Sequence, residues 1–174
     1  MATAESLGRL KASVHPEGFA AQETWRLLDL ESEDAYLNMA IEEAVARSVG
    51  EGLAPSTLRF WRNANAVVVG ANQDHNVEVN SALSKKYGTQ VVRRFTGGGA
   101  VYHDPGNLNF AVSLPKGHHL VTDAILDTFK VLSVGVLRGL RYLGLNAQWE
   151  KGNCITVSGR KLSGFAGCVM WGVF

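Results

Sequence analysis

The sequence predicts an α+β domain, with a mixed, mostly antiparallel sheet flanked by helices. Two stretches, 32–49 and 122–143, carry apolar residues at the i, i+3, i+4 spacing of helices. Short apolar or alternating runs of strand length fill most of the remaining chain. Strands clustered beside a pair of helices make a layered α+β core. Glycine is the compositional outlier, with 19 of 174 residues, above the roughly 7% average.

Residues 1–24 form a loose lead-in, broken by Gly8, Pro16 and Gly18, and 25–174 form one domain. WRLLDL (25–30) reads as a strand. Ser32 supplies an N-cap, with Glu33 and Asp34 in the acidic first turn. The helix then runs through Leu37, Ile41, Ala44, Val45 and Val49 to a stop at Gly50 and Gly52. TLRFW (57–61) alternates, with Leu58 and Phe60 on one face, and AVVVG (66–70) is a buried type of strand. A short helix at 79–87 ends at Gly88, and QVVRR (90–94) is a strand that runs into three glycines. Residues 100–102 and 107–114 form a strand pair joined by HDPG. Thr122 and Asp123 open the second helix, whose stripe is Ile125, Phe129, Leu132, Val136, Leu140 and Leu143, with Gly144 as the stop. LNAQW, CITVSG, RKLSG and VMWGVF finish the chain as short strands.

Composition excludes several functions. Seventeen Lys and Arg stand against sixteen Asp and Glu, so the basic excess of a nucleic-acid binder is missing. No apolar run approaches the roughly 18 residues of a membrane span, and the N-terminus has no apolar signal region. These features predict a cytoplasmic protein. Cys154 and Cys168 form no Cys-x-x-Cys, which argues against structural zinc and a disulfide framework, and no metal ligands are assigned.

The chemistry concentrates in RRFTGGGAVYHDPGN (93–107). Three glycines after a strand strip the backbone of side chains, so that its N–H groups can approach an anion. Arg93 and Arg94 precede them, and a guanidinium grips carboxylate or phosphate with paired bonds. Neither the P-loop nor the Rossmann spacing is present. The second signal is SGRKLSG (158–164), in which Lys161 sits on a strand between glycine turns. There a compact positive charge can hold both an α-phosphate and an acyl carbonyl oxygen. Asn153 just upstream is an amide able to meet phosphate or a metal-bound water. His103 reads equally as a substrate contact or as part of the Asp104 turn. His118-His119 and Asp74-His75 read as surface pairs. Trp25, Trp61, Trp149 and Trp171 read as core or cleft walls.

These residues carry a resemblance. The chain is similar to the lipoate–protein ligase A catalytic domain of the biotin/lipoate A/B protein ligase superfamily. The segments that match are MAIEEAV (39–45), LRFWRN (58–63), VVVGANQ (67–73), the 93–112 string, GN (152–153) and GRKLSG (159–164). The resemblance implies an ATP-dependent lipoate–protein ligase. Such an enzyme activates lipoate or octanoate to an acyl-adenylate, with ATP and Mg²⁺ as the substrate complex. It then passes the acyl group to a lysine of a lipoyl acceptor domain of 2-oxoacid dehydrogenase or glycine-cleavage type. In some relatives a small accessory domain, fused or separate, takes part. By the same resemblance Lys161 is the catalytic lysine at the adenylate phosphate and acyl carbonyl, and Arg94 lies beside the acyl-adenylate. Gly98, Gly99, Ala100, Val101 and Tyr102 border the nucleotide, with Asn153 nearby, and the acyl tail lies along an apolar tunnel.

The sequence departs from the family pattern at Cys154, where an aspartate usually follows the asparagine. Thiols are poor ligands for Mg²⁺. A related branch, the octanoyltransferases, uses a cysteine nucleophile without ATP; both cysteines read first as small buried hydrophobes, and Cys154 is the better candidate for the nucleophile, ahead of Cys168. A non-catalytic module that binds lipoyl-adenylate or the acceptor is the third alternative. The family pattern continues beyond FAGCVMWGVF, so the domain is expected to be incomplete at its C-terminal end.

Overall fold

The computed structural model describes residues 23–30, 32–150 and 152–174, so the lead-in read at 1–24 lies almost wholly outside the described residues. The elements are β1 (Arg26–Asp29), α1 (Ala35–Gly50), β2 (Thr57–Trp61), β3 (Ala66–Val69), α2 (His75–Glu78), α3 (Ser81–Tyr87), β4 (Gln90–Arg93), β5 (Val101–His103), β6 (Asn109–Ser113), α4 (Ile125–Tyr142), β7 (Ala147–Glu150), β8 (Cys154–Val157) and β9 (Arg160–Gly164). The class is α+β, as the patterning predicts. The described strands divide into three small sheets, ordered β1-β2-β6, β4-β3-β5 and β7-β8-β9. The pairs β1–β2 and β3–β4 are parallel, each bridged by intervening helix, as parallel neighbours require. The other four pairings are antiparallel.

Local chemistry sets the boundaries. Asp34, not Ser32, caps α1: its carboxylate accepts from the Tyr36 and Leu37 amides at 2.9 and 3.4 Å. The β8–β9 hairpin turns on Ser158 and Gly159, both at positive φ (51° and 72°), the backbone of a two-residue turn whose twist matches its strands. A register shift at Ile155/Thr156 skips Leu162 and puts Lys161 opposite Thr156.

Three expectations change. First, 100–102 and 107–114 do not pair. Val101–His103 registers with β3 and Asn109–Ser113 with β2, so these strands join different sheets. The Asp104 carboxylate, accepting from the Gly106 amide at 2.8 Å, turns the chain from one sheet to the other. Second, VMWGVF is not a strand but a turn. It is zipped to Leu114 by two reciprocal backbone bonds, the amides of Leu114 and Phe174 each donating to the other's carbonyl, and carries Trp171 at φ 53°. Third, α4 begins after Ala124 without a side-chain cap. It buries Thr128, Phe129 and Ser133, while Ile125 and Leu143 of the expected stripe are exposed.

One apolar cluster joins Ala35, Ala66, Val68 and Val92 with Met39, tying α1 to β3 and β4. A second joins Ala46, Val49 and Val173 with Phe95 and Trp171. Between them lies a polar core. Leu58 and Phe60 share a face of β2 as expected, but the deeper face is Thr57, Arg59 and Trp61. Arg59 is completely buried. Its Nη1 donates to the Asn38 carbonyl and to Glu42 Oε1, both at 3.0 Å, and its Nη2 donates to Asn38 Oδ1 at 2.6 Å. Burial pushes the Glu42 carboxyl up, against the pull of Arg59.

Removing one partner of such a pair leaves an uncompensated buried charge. Arg59→Met is therefore expected to lower stability by about 3–5 kcal/mol, read as a fall in the urea midpoint. A loss below about 1 kcal/mol would mean that the pair does not hold α1 to β2.

Candidate active site

A cavity of about 520 Å³ opens between the sheets. Its lining includes Arg94, Thr96, Gly98, Gly99, Ala100, Val101, His103, Asn153 and Lys161. It also includes Phe110, Phe129, Phe165 and Phe174, which form a continuous aromatic wall with ring centroids 5.7–6.0 Å apart. The lining therefore offers both donors for an anion and a surface for an apolar chain.

The glycine loop owes its shape to Arg94, whose Nε and Nη2 donate to the Gly97 carbonyl. Nη2 also donates to Gly99 and Nη1 to Val68, all within 2.7–3.2 Å. The Thr96 carbonyl accepts from the Ala71 amide. Among the described residues nothing takes the amides of Gly97, Gly98 or Gly99. The carbonyls of Thr96, Gly97 and Gly99 are thus taken while the three glycine amides are free, the state a backbone anion cradle requires. Burial pulls the Arg94 pKa down from its ordinary value, though an arginine remains charged. Arg93 braces the preceding turn through the carbonyls of Gly70, Ala71 and Gln73. The approach of the two turns is close. A Cβ on Gly70 would lie 2.0 Å from the Gly98 carbonyl oxygen, and Gly98 itself stands at φ 92°.

Lys161 is exposed and lines the cavity, its Nζ unpaired among the described residues. Its end lies over Gly164, where a Cβ would stand 3.1 Å from Cε and Nζ. Asn153 binds its own neighbourhood: Nδ2 donates to the Phe165 carbonyl, and its carbonyl accepts from the Phe165 amide. Of the residues expected at the site, Arg94, Gly98, Gly99, Ala100, Val101, Asn153 and Lys161 share this cavity. Tyr102 is exposed and donates from its hydroxyl to Asn65 Oδ1 outside it. Cys154 lies on β8 away from the lining, whereas Cys168 is in the wall, and burial raises its thiol.

Trp61, read as a core or cleft wall, and His103, read equally as a substrate contact or a turn residue, both lie in the lining; Met39 and Glu42 were not marked, though polar residues at core-period positions of α1 were the available signal. Burial, and then the charge of Arg94, lower the His103 pKa, with Asp104 opposing. His118 is not a solvated surface residue. Its side chain is 6% exposed, and Nε2 lies 2.6 Å from Glu23 Oε1. Glu23, His118 and His119 cluster closely. Because His118 Nδ1 accepts from the Leu120 amide, Nε2 carries a proton toward Glu23 and offers no lone pair to a metal.

Residues 34–174 match the family model of the lipoyl protein ligase A/B catalytic domain. The chain belongs to that family. It is 37% identical over 131 residues to the probable lipoate-protein ligase A of Mycoplasma pneumoniae, covering 75% of this chain and 38% of that one. It is 36% identical over 126 residues to the octanoyltransferase LipM of Halalkalibacterium halodurans, covering 72% and 45%. The chain thus spans less than half the length of these curated relatives. A solved bipartite lipoate protein ligase, studied with its E2 lipoyl domain from Thermoplasma acidophilum, superposes with a TM-score of 0.78 at 35% identity, over 87% of this chain and 59% of that one. A lipoate-protein ligase A bound with ATP gives 0.76 at 34% identity, over 85% and 62%. A T. acidophilum protein described as a lipoate protein ligase, with bound lipoic acid, gives 0.75 at 34%, over 85% and 64%. No described helix is long and apolar enough to cross a membrane.

Two outcomes follow from this geometry. Gly70→Ala should push the glycine loop away and lower stability, read as a fall in the urea midpoint; an unchanged midpoint would refute the packing argument. His103, with its folded pKa below its unfolded one, binds a proton less readily folded than unfolded. Its contribution to stability is present above the ordinary histidine value of about 6.5 and is lost as pH falls below it. His103→Gln should therefore reduce the drop in Tm between about pH 7 and about pH 5. An equal drop in both proteins would contradict the shift.

Proposed function

We propose that this chain carries the catalytic domain of an ATP-dependent lipoate–protein ligase, taking lipoate or octanoate. The supporting observation is a single cavity whose lining combines Lys161 and the Arg94-braced glycine loop with four phenylalanines. In the first step a carboxylate oxygen attacks the α-phosphorus of ATP, and the bond to pyrophosphate breaks. In the second, a lysine amine of an acceptor domain attacks the acyl carbon. A C–N bond forms, the C–O bond leaves with AMP, and the amine proton passes to water. Lys161 and the loop amides would stabilise the oxygens that gain charge in each step. The acceptors in view are lipoyl domains of 2-oxoacid dehydrogenase or glycine-cleavage type, and an accessory domain, fused or separate, is a further candidate partner.

Mg²⁺ would travel with the nucleotide. Among the described lining residues the sole carboxylate is Glu42, which Arg59 already holds, so phosphate and water oxygens are left to supply its ligands.

The octanoyltransferase relatives keep a cysteine-dependent transferase in view. The geometry weighs against it. Cys154 stands off the cavity, and Cys168, which lines it, is driven toward the protonated thiol rather than the thiolate a nucleophile needs.

Lipoate-dependent pyrophosphate release tests the choice. The chain, with an accessory protein supplied where required, should release pyrophosphate. Lys161→Ala should lower the rate at least about 100-fold, while Cys154→Ser and Cys168→Ser keep it within about threefold. Octanoyl transfer without ATP, abolished by either serine variant, would replace the ligase with the transferase.

A further inference from the structure

A buried chain of hydrogen bonds runs from Arg59 to His103, and its direction is fixed at one end. A guanidinium can only donate. The oxygen of the Asn38 amide must therefore face Arg59 Nη2, 2.6 Å away. That turns Asn38 Nδ2 to the carbonyls of Ser32 and Arg62 and to Asn63 Oδ1, at 2.8, 3.0 and 2.8 Å. Asn63, with its oxygen committed, presents Nδ2 to His103 Nδ1 at 2.9 Å. An amide N–H donates, so His103 Nδ1 must accept. Flipping either amide would set donor against donor, at Asn38 and Arg59 or at Asn63 and Asn38. Asn38, Arg59 and Asn63 are fully buried and His103 nearly so, which keeps water from relieving such a clash.

The remaining nitrogen of His103 then carries the ring's proton, and His103 lines the cavity. We infer that Asn63 is a positioning residue that locks His103 as the neutral Nε2–H tautomer, and that this N–H donates to the carbonyl oxygen of the acyl group held in the cavity. The second half rests on the proposed ligase reading; the first stands on the hydrogen-bond geometry alone. Arg94 and Lys161 already bring two positive charges to the cavity lining. A neutral donor adds a hydrogen bond to a carbonyl without adding a third. The groups that bear on the ring's charge agree. Arg94 repels an imidazolium, Asp104 favours it, Lys161 and Glu42 share the cavity, and burial disfavours the charged ring. When the acceptor amine adds to the acyl carbon, charge grows on that carbonyl oxygen and the fixed N–H strengthens its bond there. His103 passes no proton in this step.

Nitrogen NMR of the full chain labelled in its five histidines reads the tautomer directly, with the His103 signal assigned by its loss in His103→Gln. Wild type should show a protonated Nε2 and a bare Nδ1. In Asn63→Asp, a carboxylate now faces Nδ1, so the ring should move to the Nδ1–H or doubly protonated form and its titration should shift upward. A protonated Nδ1 in wild type, or an unchanged ring in Asn63→Asp, overturns the lock; if Asn63→Asp does not fold, the wild-type spectrum decides. A sulfamoyl analogue of lipoyl-adenylate, added to saturation, should shift the Nε2–H resonance, and a resonance that stays put with analogue bound overturns the donor role. In the transfer assay His103→Ala should lose about 100-fold in kcat with the lipoate KM within about threefold, and His103→Gln, which restores an N–H, should recover most of it. Equal losses in both variants also overturn it. An analogue that does not bind sinks the adenylate reading, and the donor role with it, while the tautomer result stands by itself.

Discussion

A single donor-only group sets much of this fold. Arg59 is an arginine in the middle of a buried strand, fully excluded from water. Its charge is tolerable because α1 lies across β2 and brings Glu42 and the Asn38 side chain and carbonyl to it. The docking of α1 on β2 is therefore an electrostatic requirement as well as a hydrophobic one. Because guanidinium N–H groups cannot accept, the orientation of every amide beyond Arg59 follows, as far as the ring that faces the cavity. The polar core thus transmits an orientation and not merely stability.

The second arginine of consequence works by subtraction. Arg94 takes up the carbonyl oxygens of Gly97 and Gly99 and leaves the loop amides free. An arginine beside three glycines first suggests a direct grip on an anion. Here its paired donors serve the backbone, and the backbone faces the ligand space. Lys161, on the bulged strand of a tight hairpin, is the lining cation left without a described partner. A braced loop and an unpaired ammonium in one lining suit the proposed reaction, in which phosphate charge shifts from one oxygen to another.

Legibility in the sequence followed the range of the interactions involved. The glycine string, the Ser158-Gly159 turn and the 90–94 and 57–61 strands were readable because backbone freedom and alternation act within a few residues. The α1 cap was misplaced by two residues because Ser32, Glu33 and Asp34 all suit the start of a helix, and only the chain's path decides which carboxylate reaches the amides of residues 36 and 37. Leu58 and Phe60 look like a core face, yet Thr57, Arg59 and Trp61 are the deeper set. That inversion depends on Glu42, 17 positions earlier, which alternation along one strand cannot reveal. Of the cavity's lining, Lys161, Arg94, the loop and Trp61 were legible, while Met39 and Glu42 entered the wall through packing alone.

The sequence by itself determined the class, nearly all the elements and the family, because these rest on periodicity, glycine placement and a specific motif string. Tertiary structure alone decided the partners. The strands on either side of HDPG look like a hairpin and instead enter separate sheets, one in register with β3 and the other with β2. The same holds for the two cysteines. Position along the chain favoured Cys154, but Cys168 is the one in the cavity wall, and desolvation there holds its proton in place. A side chain's identity is written in the chain, but its dielectric surroundings and its donors and acceptors come from segments tens of residues away, and those exist only once the sheets have assembled.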